Sequence, residues 1–319
     1  MAMPSNTFAT YEAVGNREDL SDEIFRIDPT DTPFFTMCEK VKASAVNHEW
    51  QTQALDSRDT GNAVLEGDDA TTDATVPTVR LGNICQISDK VARVSGTQQA
   101  VEHAGRGDEM GYQKMLKGLA LKLDIDAILC GTNQAKIVGD DATARKTASV
   151  LSWLKTNTSK GTGTAADPAA ANGTGTRTDG TQVAFTEARL KTVLQSCWTN
   201  GGKPNIIMCG GFNKQQFSTF TGRSTPMEDA RSKKIVASVD VYESDFGVLK
   251  VAPSRQVRPR DVLVLQDDMW AVAHLNGRKM VAVPLAKTGD SERAQLLSEY
   301  ALEARNEKAS GGVFDNTAA

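Results

Sequence analysis

The stretch VNHEWQTQALDSRDTGNAVLEGDDATTDATVPTVRLGNICQI, residues 46–87, decides how the rest of the chain is read. Val46 to Gln53 alternates apolar and polar residues, and Val76 to Ile87 does so more weakly; both read as strands. Between them, Asp56 to Asp73 is rich in Asp, Gly, Thr and Ala and nearly free of large apolar residues. The whole reads as a long two-stranded ribbon whose tip has no core of its own. Its acids, from Glu49 through Asp56, Asp59, Glu66, Asp68, Asp69 and Asp73, face only Arg58 and Arg80 as bases. A two-stranded ribbon alone in water is marginal, so this one is expected to gain its stability on a partner surface.

Working outward, the chain has 319 residues, 36 Lys and Arg against 40 Asp and Glu, and a net charge of −4. At about 150 residues per domain, that is two domains' worth of chain. A hydrophobic fraction of 39% excludes disorder of the whole. The slight acidic excess excludes a general polyanion binder, which would carry surplus base. No apolar run approaches the roughly 20 residues of a membrane helix. The start, Met-Ala-Met-Pro-Ser-Asn, shows no signal peptide, which gives the expectation of a cytoplasmic origin. Cys38, Cys85, Cys130, Cys197 and Cys209 are odd in number and widely spaced, so they read as reduced, buried small hydrophobes rather than a disulfide framework or zinc knuckle.

Before the ribbon lies an arm, acidic at Glu18, Asp19, Asp22 and Glu23, with room for one or two helical turns between Asp19 and Arg26. Pro29 and Pro33 stop any long helix. The tandem Phe34-Phe35 must dock on another domain or another subunit. After the ribbon, Gly107 to Cys130 predicts a helix roughly 35 Å long, with Tyr112, Leu116, Leu119, Leu123, Ala127 and Cys130 as its apolar stripe. Asp108 and Glu109 suit its first turn, and Gly131 is expected in the C′ position. Residues 136–183, with a Gly/Thr/Ala core from Gly161 to Gly180, read as a flexible insert; only Val150 to Leu154, with Trp153, is expected to dock. Further helices are expected at 186–198 and 213–220. Strands are expected at 206–208, 235–241, 247–251, 262–265, 269–275 and 280–283. Leu296 to Glu307 reads as a long half-buried strand, with Leu296, Ser298, Tyr300, Leu302 and Ala304 on one face. The fold class is α+β, with few βαβ units.

Catalytic motifs are missing. There is no phosphate loop, since Gly201-Gly202-Lys203-Pro204 lacks the spacing. There is no dinucleotide fingerprint, no Gly-x-Ser-x-Gly elbow, and His48, His103 and His274 are too far apart for a zinc motif. The acid pairs Asp68-Asp69, Asp140-Asp141 and Asp267-Asp268 leave a carboxylate-based hydrolase open as a minor reading. The expectation is no enzyme, with no catalytic, cofactor or metal residues. What remains is an arm and a ribbon that need partners, a spine-like helix and a β-rich second half: a chain built for self-assembly.

The ordered motifs Asp28-Pro29-Thr30-Asp31-Thr32-Pro33-Phe34-Phe35, Asn47-His48-Glu49-Trp50-Gln51-Thr52, Asn83-Ile84-Cys85-Gln86-Ile87, Leu296-Leu297-Ser298-Glu299-Tyr300 and Glu303-Ala304-Arg305-Asn306-Glu307-Lys308 resemble a family of major capsid (major head) proteins of tailed bacteriophages. The resemblance covers about residues 20–315, apart from 136–183. It implies the Hong Kong 97 type capsid fold. The parts would be an N-terminal arm at 1–45, an extended loop at 46–92, a peripheral domain at 93–204 with spine helix 107–130, an axial domain at 205–272, and a return to the peripheral domain at 273–319. It further implies a shell of hexamers and pentamers in the virion, made in the host cytoplasm, around double-stranded DNA held without sequence-specific binding and with no membrane. A separate scaffolding protein, a portal and a decoration protein would be partners. Some capsids of this fold weld subunits through a lysine on the extended loop; here no lysine lies between Lys42 and Lys90. The rival within the fold is an encapsulin shell around an enzyme cargo. Expected inter-subunit contacts are Phe34 and Phe35, the ribbon acids Asp56, Asp59, Glu66, Asp68 and Asp69, and the basic residues Arg231, Lys233, Lys234, Arg255, Arg258 and Arg260.

Overall fold

The computed structural model of the protein describes residues 27–70, 72–220 and 240–318. Its strands are β1 (Glu39–Ala43), β2 (Asn47–Thr52), β3 (Val79–Ile84), β4 (Gln86–Ser95), β5 (Thr158–Ser159), β6 (Ile206–Cys209), β7 (Val241–Ser244), β8 (Gly247–Pro253), β9 (Val262–Leu265), β10 (Trp270–Leu275), β11 (Val281–Leu285), β12 (Ser291–Ala304) and β13 (Gly311–Val313). Its helices are α1 (Pro33–Met37), α2 (Gly96–Ala100), α3 (Glu109–Cys130), α4 (Val150–Trp153), α5 (Glu187–Thr199) and α6 (Gly211–Phe217). The expected strand at 235–241 falls largely outside the described residues.

β12 organises the first sheet. Along one edge it pairs antiparallel with β10 and then with β11; along the other it pairs with β4 from Ser291↔Ser95 to Tyr300↔Gln86. β1 joins as a parallel neighbour of β10. The alternation of Leu296, Tyr300, Leu302 and Ala304 carries one face into the main core. The other face departs from the expected half-buried strand. Glu299 and Glu303 are 2% and 7% exposed. Glu299 is held by Arg145 at 2.8 Å and Arg278 at 2.7 Å, and Glu303 by His48 and Arg305 at 2.9 Å each. Charged residues in a period-two pattern read as solvent-facing; here cationic side chains from distant loops cover them.

α3 forms where expected, with Asp108 Oδ1 accepting the Met110 N–H at 3.0 Å as its N-cap. Its face is not the expected one. Leu121, Ile125 and Leu129 are the residues buried in the main core, and the Tyr112–Leu116–Leu119–Leu123 stripe lies half-exposed on the opposite side. The helix carries two apolar stripes, and its period alone does not say which one meets the sheet. Gly131 also differs: its φ is −102°, so it does not take the left-handed C′ conformation. A side chain there would overlap the carbonyl oxygen of Gln256, and that close approach is what requires glycine.

The second sheet runs β5-β13-β9-β6-β8-β7. β9 is apolar throughout because both of its faces are covered. Val262 and Val264 pack with Leu190, Val193, Leu194 and Cys197 of α5, while Leu263 and Leu265 join the main core beside Trp270 and Phe314. α5 and β13 therefore share a core with β6, and the expected boundaries at 204/205 and at 273 both cut through this packing.

Residues 136–183 are tied down rather than free. Bridges join Ile137 to Lys146, Thr162 to Thr181 and Ala166 to Thr178. Arg177 is buried, bonded to Asp167 at 2.6 Å, and its guanidinium lies 3.6 Å from the centre of the Phe314 ring. Val150, Leu151, Trp153 and Leu154 are fully buried, as expected for the docked exception. Ion pairs and backbone bonds supply the order that the segment's small side chains do not.

Candidate assembly surfaces

The ribbon is built in two parts. At its base, β2 and β3 pair from Asn47↔Ile84 to Thr52↔Val79. Asn83, fully buried, donates to the carbonyls of Leu302 at 2.7 Å and Ala148 at 3.3 Å, and accepts from the N–H groups of Ala148 and Ile84 at 2.9 Å each. Trp50 Nε1 donates to the Ala304 carbonyl at 3.0 Å, and its ring lies 5.5 Å from that of Trp153. His48 meets Glu303, whose burial would raise its pKa but whose bonds to His48 and Arg305 hold it below the ordinary carboxylate value. The base is thus clamped on β12 and α4.

Beyond Thr52 and Val79 the clamp ends. Residues 53–70 and 72–75 are all exposed. Leu55, Val64 and Leu65 stand 96%, 85% and 79% exposed, an apolar set that no core in this chain receives. Asp56, Asp59, Glu66, Asp68 and Asp69 lie among them and form no ion pair among the described residues. Asp59 and Asp68 only accept local backbone N–H groups. The five acids therefore share one projecting tip.

Phe34 and Phe35 do not need a neighbouring subunit. Phe34 is fully buried, with its ring 6.4 Å from Trp270, and Phe35 is 8% exposed, 6.0 Å from His274. The arm is rooted in its own subunit because α1 turns both rings into the core between α3 and β10. The Phe35 N–H donates to Asp126 Oδ1 at 2.6 Å, and Lys40 caps the carbonyls of Phe35 and Cys38. Burial pushes the Asp126 carboxyl up to about 6, despite the Phe35 bond and the nearby Lys122 and Lys40. Burial, aided by Lys279 and Lys40, pushes His274 down to about 4.

Of the basic residues, Arg258 is engaged by Asp179 at 2.8 Å and Asp261 at 2.5 Å, and Arg260 by Asp179 at 3.2 Å and Asp315 at 2.7 Å. These two arginines hold the 161–181 segment and the C-terminal strand together within one subunit, so they are not available to a neighbour's acids. Arg255 is exposed and without an ion pair among the described residues. Arg231, Lys233 and Lys234 lie outside the described residues. Sequence reasoning missed Asn83, which carries no signal in a strand of mixed polarity. It also missed Arg177, for which a signal existed: a lone long cation in a Gly/Thr/Ala segment.

All five cysteines are free and buried, and burial raises Cys38 and Cys197 to about 12 and Cys85 and Cys209 to about 11. Asp140 closes its own turn on Ala142 and Thr143, and Asp267 accepts from Asn205 at 2.7 Å, so both acid pairs are in use as local braces. Among the described residues no group of three His, Cys, Asp or Glu side chains could hold a metal ion, and no helix is long and apolar enough to cross a membrane.

A two-sheet body with a spine helix, a rooted arm and a projecting ribbon is the Hong Kong 97 type capsid fold, and solved structures agree. The chain superposes on the subunit of the Cyanophage A-1(L) capsid with a TM-score of 0.63 at 14% identity, covering 97% of this chain and 98% of that one. An encapsulin complex of Synechococcus elongatus also matches, with a TM-score of 0.56 at 9% identity over 96% and 94%. At these identities the likeness shows the fold alone, which phage heads and encapsulins share. The sequence separates them. Residues 3–317 match the SU10 major capsid protein family, and the chain belongs to it. It is 29% identical to the major capsid protein of Escherichia phage Phieco32 over 98% of both chains. The protein is a major capsid protein of a tailed phage, a structural component of the virion.

Proposed function

We propose that the protein tiles an icosahedral head as hexamers and pentamers, with the ribbon tip lying on a neighbouring subunit. The observation that supports this is the split in the ribbon: a base clamped by Asn83, Trp50 and His48, and a tip whose Leu55, Val64 and Leu65 have no core in their own chain. Burying three such side chains contributes about 1.5–3 kcal/mol each, enough for a weak contact that becomes decisive when every subunit repeats it. The acids at the tip set the register of that contact on a basic strip of the neighbour, with Arg255 and the segment Arg231, Lys233 and Lys234 as the available cations. In this reading residues 1–45 are the arm and 46–92 the extended loop. α3 is the spine of the peripheral domain, and the second sheet, together with α5 and β13, forms the axial domain. The shell is made in the host cytoplasm, on a separately encoded scaffolding protein and portal. It accepts double-stranded DNA without sequence readout and offers an outer surface to a decoration protein.

Electron microscopy of the expressed protein tests this: shells, tubes or capsomers are expected, and a stable monomer with none of these overturns it. Deleting residues 54–77 is expected to leave the subunit folded and unassembled. The encapsulin alternative predicts protein cargo in place of nucleic acid inside shells purified from infected cells.

A further inference from the structure

The side of α3 that turns away from the first sheet is covered only at its C-terminal end. There α1 crosses it: the Phe35 N–H meets Asp126, Cys38 lies beside Cys130 and helps to raise its thiol pKa, and the Lys122 ammonium is 5.8 Å from the Phe35 ring. Read backwards from Cys38 to Phe35, these contacts step from Cys130 to Asp126. The chain ahead of α1 is therefore directed down α3, toward lower residue numbers. In that direction lie Leu123, Leu119, Leu116 and Tyr112, at steps of four, three and four, none of them buried, with Met115 beside them 47% exposed. This is a helical seam about 16 Å long, and it continues an existing α1–α3 contact. Where α1 leaves it, Lys40, Lys122 and Lys279 converge, close enough for Lys122 and Lys279 to disfavour the charge on Lys40 beside its own burial. None of the three forms an ion pair among the described residues.

We infer that residues 18–27 of the same chain cover this seam. Leu20, Ile24 and Ile27 recur at steps of four and three, the spacing that fits one helix face onto another. Glu18, Asp19, Asp22 and Glu23 supply the opposite charge to the three lysines. Ile27, the first described residue, is 94% exposed, an apolar side chain left without cover at the point from which the segment must start. The six residues from Ile27 to Pro33 span at most about 20 Å, sufficient to reach from Asp126 past Leu119. The proposal concerns one subunit and holds whether or not shells form.

The test uses the unassembled full-length chain carrying Met115→Cys, since the five native thiols are buried. Modification of that thiol by a maleimide is expected to be about tenfold slower in the full chain than in the same chain lacking residues 1–26. The double substitution Leu20→Asp, Ile24→Asp in the full chain is expected to restore the fast rate, which keeps the test independent of whether the truncated chain folds. Equal rates in full-length and doubly substituted chains overturn the proposal. Protection that grows with protein concentration also overturns it, because the cover would then be a second copy.

Discussion

Replacing Asp126 by Asn isolates the one buried carboxyl on which the arm is rooted. Asp126 is fully buried and accepts the Phe35 N–H at 2.6 Å, and its other carboxyl oxygen lies 4.0 Å from Cys130 Sγ, in apolar surroundings. Burial raises its pKa to about 6, against an ordinary value of 3.8. Below pH 4 the group is protonated in both folded and unfolded chains and costs nothing. Between pH 4 and 6 the unfolded chain releases the proton while the folded chain keeps it, so stability falls as pH rises. Above 6 the loss is complete, and at about 1.4 kcal/mol for each pH unit it amounts to about 3 kcal/mol. Asparagine keeps the oxygen that receives the Phe35 N–H and carries no charge. The assay is urea unfolding of the unassembled subunit from pH 4 to 8, comparing the two proteins at each pH, because His274 works in the opposite sense. Its ring stays neutral in the fold down to about 4, so it adds stability above its ordinary value that is lost as pH falls. Asp126→Asn should match the wild type near pH 4 and exceed it by about 3 kcal/mol at pH 7.5. A variant less stable than the wild type at pH 7.5, or one with the same pH dependence, refutes the reasoning.

Other expectations follow from the same geometry. Phe34→Ala opens a cavity in the main core and should cost about 3–5 kcal/mol in the unfolding midpoint of the isolated subunit; a cost seen only after assembly would return Phe34 to a subunit contact. Glu299→Ala leaves Arg145 and Arg278 without their buried partner and should cost about 1–3 kcal/mol, less than for a fully buried pair because both arginines reach water; calorimetry of the monomer checks it. Gly131→Ala should destabilise more than a helix-end glycine normally does, since the methyl group meets the Gln256 carbonyl and either α3 or the 254–258 turn must move. Asp68→Lys with Asp69→Lys should slow assembly at low salt and remove its salt sensitivity, measured by light scattering; unchanged kinetics would dismiss the electrostatic part of the ribbon contact.

The ribbon, the spine helix, the long final strand and the absence of any catalytic motif were legible in the amino-acid sequence because each rests on local periodicity or local composition. Alternation marks a strand and a recurrence of three and four marks a helix, wherever the rest of the chain goes. The family likewise lies in long ordered motifs. What tertiary structure alone decided is which face of each element is buried and which charges are free. Leu121, Ile125 and Leu129 won the sheet over an equally periodic stripe because β4 and β12 happen to lie on their side. Phe34 and Phe35 were recognisable as residues in need of a core, but only the packing of α1 against α3 and β10 shows that the core is their own. Arg258, Arg260, Glu299 and Glu303 read as surface charge, yet their partners stand from 3 to 255 residues away along the chain. A salt bridge leaves no periodic trace in a sequence, so the folded chain alone shows which charges it has already spent on itself and which, at the ribbon tip, it holds out to a neighbour.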